Sequence, residues 1–185
     1  MIRTKLEAVN VILRALGEQP ISSLSVQYPT LDLVLPALEE QLTGVLTSQW
    51  WFNTFTGYRA LPNEDGLVVL PEDTLVFYPD NPQYLWTGAE VRDREGNLLT
   101  NTTVVGTRVV YMEFEVLPQM VRHAVAYAAA AQVYAADIGV DRIQQQLLQQ
   151  AAMAMREMSA THTRSRKFTS LHKRQVQQWM RALRS

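Results

Sequence analysis

Apolar residues recur along this chain at two different periods, and the changes between them divide it. Near the start, Val9, Ile12, Leu13 and Leu16 fall at i, i+3, i+4 and i+7, one stripe of an amphipathic helix. Thr4 with Glu7 makes a capping box ahead of that stripe, Gly17 is placed to end it, and Pro20 follows. Residues 18–28 read as a loop. A second helix is predicted from about residue 30 to 48, with Leu31, Leu35, Leu38, Leu42, Val45 and Leu46 on one face. Pro36 lies inside it, so the helix either kinks there or begins near it. The aromatic segment WWFNTF then breaks the helical pattern.

From 51 to 115 the pattern turns β-rich. Short runs (LVVL, TLVFY, TRVVYMEFEV) alternate with the turn-forming PNEDG, PEDT, PDNP and REGN. Val109, Tyr111 and Phe114 contrast with Arg108, Glu113 and Glu115, which predicts a strand continuing through Glu115. Helical spacing returns in PQMVRHAVAYAAAAQVYAAD. Pro118 suits its first position, Gly139 its end, and the run Ala128 to Ala131, with Ala124, Ala126 and Ala135, lets a neighbouring helix approach closely. A fourth helix begins at Asp141, capped against Gln144, and carries IQQQLLQQAAMAMREM. Residues 159–167, SATHTRSRK, read as a polar basic linker. A last helix spans about 170–183.

The predicted fold class is therefore α+β, mainly α. A four-helix bundle (residues 1–50 and 117–160) carries an inserted small antiparallel β-rich unit (51–116). A basic linker and an extended amphipathic C-terminal helix complete it (161–185).

Composition narrows the function. The 185 residues include no cysteine, which removes disulfides, thiolate nucleophiles and cysteine-ligated metals together. The N-terminal segment threads charges through its apolar residues and lacks the apolar core of a signal peptide, and no run approaches a membrane span. The net charge of −1 hides a split. Beyond Glu157 there is no acid, yet seven of the 17 basic residues lie there; residues 1–157 hold ten basic and 18 acidic residues, a net of −8. An acidic body with a basic tail points to a tail that docks on something negative.

Catalytic signatures are absent: no nucleophile elbow, phosphate-binding loop, His-Glu-x-x-His or calcium loop. No catalytic residue, cofactor or metal ligand is expected, and the chain is not read as an enzyme. His123, on a helix whose other face is apolar, reads as a boundary residue rather than a general base. Glu113 and Glu115 would share one strand face, as a retaining glycosidase pair could, but a solvated face explains them. Asp93, Glu95 and Asn97 suit either a cation or a hairpin turn, since both use the same residue types. Trp50, Trp51, Phe52 and Phe55 could stack bases, yet no basic residue follows until Arg59, so core or interface is the better reading.

The C-terminal segment carries the sharpest expectation. Val176, Trp179, Met180 and Leu183 form an apolar stripe, with Lys173, Arg174, Arg181 and Arg184 around it. Three uses compete: an ordinary bundle helix, a helix docked in a partner's groove, and a membrane-surface helix. Trp179, the side chain most enriched in binding hot spots, favours the groove.

Several motifs, in order, are similar to one family. AVNVILRALGEQPISSL resembles the opening of the tail tubular protein A family of short-tailed phages. There a helix ends in a Leu/Ile-Gly-Glu-x-Pro turn followed by Ser-Leu. WWFN at Trp50 to Asn53 resembles the family's Gly-Trp-x-Phe-Asn segment, and LPEDTLVFYPDNPQYL its LP-led β segment. REGNLL, then TRVVYMEFEVLPQMVRHAVAYAAAAQ, resembles its strand-to-helix passage. Together they cover about residues 7–135. Pro36 departs from the family pattern. The resemblance implies a head-to-tail adaptor of the virion tail, assembled in the host cytoplasm. It implies a homo-oligomeric ring (a dodecamer) under the portal protein and above the nozzle, tail tubular protein B. DNA passes through its lumen without sequence-specific binding, no membrane is involved, and a C-terminal helix reaches the portal. Lys173, Arg174, Val176, Trp179, Met180, Arg181, Leu183 and Arg184 are then the expected portal-binding residues. The alternative is a small nucleic-acid-binding regulator using the basic tail, which the acidic body opposes. The lack of lipidation signals weakens a membrane role.

Overall fold

The computed structural model describes residues 1–171, with side chains described through residue 166. The fold is α+β and mainly helical. In order come α1 (Lys5–Ala15), α2 (Leu31–Leu46), strands β1 (Thr54–Ala60), β2 (Thr74–Pro79), β3 (Tyr84–Trp86), β4 (Val91–Asp93) and β5 (Val104–Val110), then α3 (Gln119–Asp137) and α4 (Arg142–Leu171). The chain divides into a helical unit, residues 1–41 and 117–185, and a β-containing unit, residues 42–116. The boundary falls inside α2.

The helical unit is built from well-terminated helices. Thr4 Oγ1 accepts the Glu7 N–H at 3.2 Å, satisfying an orphan donor of the first turn of α1, and the Glu7 carboxylate accepts the N–H of Arg3, the residue before the cap, at 2.6 Å. At its other end the Glu18 N–H reaches the Leu13 carbonyl and the Gly17 N–H that of Arg14. This is a Schellman turn, and it needs the left-handed backbone (φ +80°) that Gly17 supplies cheaply. Ala8, Val9, Ile12 and Leu13 are buried. α3 packs against both α1 and α4. It is enclosed almost all round: Val121, Ala124, Val125, Ala126, Ala129, Ala130, Ala131, Val133 and Tyr134 are buried. The alanine run thus spaces helices within the one chain. α4 starts at Asp141, whose Oδ1 accepts the Ile143 and Gln144 N–H groups and whose Oδ2 accepts the Tyr134 hydroxyl.

Pro36 neither ends nor starts α2, which continues past it from Leu31 to Leu46, so the helix does not begin there. The cost is one missing amide donor, and that of Pro36 lies on the exposed side of the helix, where water reaches the freed carbonyl.

In the β unit, β5 is the central strand of a three-stranded antiparallel sheet, order β1-β5-β2, and β3 pairs with β4 in a separate hairpin. A bulge between Phe55 and Tyr58 interrupts β1 at Gly57. Gly106 is required by packing: a Cβ there would lie 2.4 Å from the Tyr78 carbonyl oxygen and 2.7 Å from the Phe77 ring. Ala60, Val68, Leu70, Phe77, Val91 and Val104 form the core. The run LVVL does not make a full strand; Leu67 and Val69 contribute only single bridges, to Thr100 and Glu90.

Two expectations are corrected. The strand predicted through Glu115 ends at Val110; Glu113 lies in irregular chain and Glu115 in a 3-10 turn (Phe114–Val116), where Phe114 is buried. Phe114 anchors the turn by burial, and that outweighs the alternating pattern. The linker predicted over 159–167 is helix, part of the 30 residues of α4.

Candidate functional site

The polar residues that suggested chemistry have structural partners. His123 is half-buried on α3, its Nε2 accepting the Ile2 N–H at 3.4 Å and its ring edge-on to Tyr127. Burial above all, then the cationic N-terminus and Arg122, hold its pKa below the usual histidine value, with Glu157 opposing. An acceptor nitrogen already occupied by a backbone amide is a tether between the N-terminal segment and α3. Glu113 and Glu115 do not share a strand face, so the paired-carboxylate geometry is absent. Asp93 accepts the Glu95 and Asn97 backbone N–H groups, both at 2.9 Å, and the Asn97 amide at 3.0 Å. These bonds, with Asn97 first, lower its pKa and make it the pivot of a hairpin turn. Among the described residues no three His, Asp or Glu side chains converge as metal ligands. None of the described helices is long and apolar enough to cross a membrane.

Three of the four clustered aromatics, Trp50, Trp51 and Phe52, pack at the junction of α2 and β1, whereas Phe55 on β1 is exposed. Trp51 stands edge-on to Trp50 and to Phe52, with ring centroids 6.4 and 5.0 Å apart, and Trp50 Nε1 donates to the Val45 carbonyl at 2.8 Å. The residue that organises this corner is one the sequence reading did not single out. Asn53 is fully buried. Its Nδ2 donates to the Leu46 carbonyl at 2.6 Å and to that of Val110 at 3.4 Å, while Oδ1 accepts the Trp50 N–H at 3.1 Å. The end of α2 and the end of β5 thus close on one amide. Its only signal in the sequence was its place at the end of the WWFN motif, which gave it no role.

α4 carries the chain toward the segment from which binding was expected. Its buried and half-buried positions, Gln144, Leu147, Ala151, Ala154, Met155, Met158, Thr161, His162 and Ser165, keep to one stripe far beyond the apolar part of the sequence. Ser159, Thr161, Thr163 and Ser165 each return a hydroxyl to the carbonyl four residues earlier, at 2.9 to 3.0 Å. These bonds satisfy the hydroxyls without stabilising the helix, and the half-buried stripe accounts better for its continuation. The expected binding residues, Lys173, Arg174, Val176, Trp179, Met180, Arg181, Leu183 and Arg184, lie outside the described residues. An open groove of about 490 Å³ runs between α3 and α4, lined by Tyr127, Ile143, Leu147 and three glutamines. Its lining offers no ionisable acid or base near neutral pH, as a surface suited to packing would.

A family model described as "Tail tubular protein" matches residues 6–168 of the chain. The chain belongs to the tail tubular protein family. A relative from Klebsiella phage KP34, named "Tail tubular protein A", is 28% identical over 169 residues, covering 90% of each chain. The motifs that carried the resemblance all fall inside the matched span, while the basic C-terminal stripe lies beyond it. Membership makes this a structural protein of a phage tail and a component of the virion.

Proposed function

We propose that the chain is a head-to-tail adaptor that acts by assembly and not by turnover. Copies close into a ring, a dodecamer by the family resemblance, that joins the portal above to the nozzle, tail tubular protein B, below. The observation that carries this reading is the family match along nearly the whole chain. An adaptor needs a body that holds its shape under load. The capped start of α1, the alanine-packed α3 and the Asn53 junction suit that need, because the Thr4 cap and the buried Asn53 amide have their partners within the chain. It also needs a conduit that does not grip DNA. The net −8 of residues 1–157 supplies a surface that repels phosphate. The basic, Trp-bearing stripe from Lys173 to Arg184 is proposed to dock on the portal, the apolar residues supplying affinity and the charges orientation.

The test is purified protein sized with and without portal. A discrete multi-subunit complex in the presence of portal is the expected result. Protein that ignores portal and instead binds duplex DNA with a steep salt dependence would replace this reading with the nucleic-acid regulator.

A further inference from the structure

The β unit presents an outward face whose composition is unusual for a solvated sheet. The pairings Leu85↔Arg92 and Arg92↔Leu98 set these three residues in one row, and Val69↔Glu90 sets the next. Alternation puts Trp86, Val91, Leu99 and Val68 on the opposite face, against the core. The outward side chains are therefore Leu85, Leu98 and Val69, which are 50%, 38% and 45% exposed, around a single ion pair. A solvated sheet face is ordinarily polar. The ion pair is closed within the chain: Arg92 Nη2 meets the Glu90 carboxylate at 3.0 Å, and Nη1 donates to the Gly96 carbonyl at 3.0 Å. A partner could cover this face without leaving a charge unpaired, which is the condition that makes burying an ion pair tolerable.

Charge selects the occupant. The β unit, residues 42–116, holds ten acidic and four basic residues, a net of −6. Two copies meeting sheet to sheet would bring like charge together. The same chain offers the complement on α4, which carries five basic residues and one acid, a net of +4. Its solvent side combines Arg142, Arg156 and Arg164, and one acid, Glu157, with exposed Leu148, Ala152 and Met153.

We infer that the Val69, Leu85 and Leu98 face of the β unit docks on the outer face of α4 of a second copy, a head-to-tail contact between unlike surfaces that can propagate around a ring. This rests on the ring reading above, and the test separates the two.

The chain has no native cysteine, so single thiols report contacts cleanly. Leu85→Cys and Met153→Cys, both at exposed positions, are treated with a short bis-maleimide in the portal-bound assembly. The expected result is a ladder of crosslinked copies when both cysteines are in one chain, and crosslinked dimers without a ladder in a mixture of the two single variants. Leu85→Glu with Leu98→Glu should leave a folded monomer, checked by circular dichroism, that no longer forms the multi-copy assembly. Arg156→Glu should raise the concentration needed for assembly roughly tenfold. Crosslinking by Leu85→Cys alone, or intact assembly of the double glutamate variant, overturns the inference while the ring stands. So does loss of joining to another tail protein with ring formation unchanged. Wild-type protein that never assembles overturns the ring reading itself.

Discussion

The side-chain amide of Asn10 pairs with the peptide group of Ile21 as one strand residue pairs with another: Nδ2 donates to the Ile21 carbonyl at 2.9 Å, and the Ile21 N–H donates to Oδ1 at 2.8 Å. The loop after α1 is thereby locked to the helix it leaves, and Glu18, accepting the Thr30 hydroxyl at 2.9 Å, fastens its far end. Asn10→Ala should lower stability by about 1–3 kcal/mol, since two backbone groups of a partly buried loop lose their partners. Asn10→Asp should cost as much or more, because the donor is lost and a charge added. Chemical denaturation measures this, and a change under about 0.5 kcal/mol would show the pairing to be incidental.

Asn53 should be less forgiving still. Asn53→Leu matches its size but leaves the Leu46 carbonyl and the Trp50 N–H without their side-chain partner in a buried corner. The expected loss is about 2–4 kcal/mol. Accelerated hydrogen exchange of the Trp50 amide should accompany it; unchanged exchange would place the corner's stability elsewhere.

The alanines of α3 separate folding from assembly. Ala130 is fully buried, so Ala130→Trp should exceed the ~1–3 kcal/mol usual for overpacking and yield aggregated protein. Ala152, exposed on α4, should accept Trp with the fold intact. Soluble, folded Ala130→Trp protein would mean that α3 is less enclosed than described.

Stability should fall as the pH drops from 7.5 to 5.5. His123 and His162 both have pKa values lowered by burial first, with neighbouring cations adding to it. An unfolded histidine takes its proton near 6.5 while these folded ones do not, so the unfolded state binds more protons in this window and gains on the folded state. The loss levels off only below the folded pKa values. Asp93 and Asp141 do not blur the result: their lowered pKa values lend stability that persists above about 3.8 and is lost only in stronger acid. His123→Gln should flatten part of the slope in thermal melts, and an unchanged slope would remove His123 from the explanation.

For the proposed joint to the portal, Trp179→Ala should weaken binding by ~2 kcal/mol or more, and Arg184→Ala by only ~0–1 kcal/mol, as buried aromatic anchors outweigh exposed ion pairs. Co-sedimentation with portal gives both numbers. A larger effect of Arg184→Ala would make the joint electrostatic.

Much of this protein was legible from local chemistry. Thr4 with Glu7, Gly17, Gly139 and Asp141 mark helix ends whose partners lie within five residues, so spacing alone was enough to place them. The two periods separated helices from the β unit for the same reason. What stayed hidden depends on neighbours far along the chain. Nothing in SATHTRSRK announces a helix, because it is helical as the continuation of the preceding turns, with Thr161, His162 and Ser165 half-covered on one side. The strand expected through Glu115 stops at Val110 because β5 ends where its antiparallel neighbours β1 and β2 begin, at Thr54 and Thr74, a limit set by pairing partners. Asn53 is one polar letter in the sequence and acquires its role only when carbonyls 7 and 57 residues away are brought to it. The sequence by itself determined the four main helices, the place of the β unit between them and where α1 and α3 end, since those choices rest on contacts a few residues apart. Tertiary structure alone decided how long α4 runs, which strand is central and which alanines are internal, because those depend on burial and pairing that no local spacing encodes.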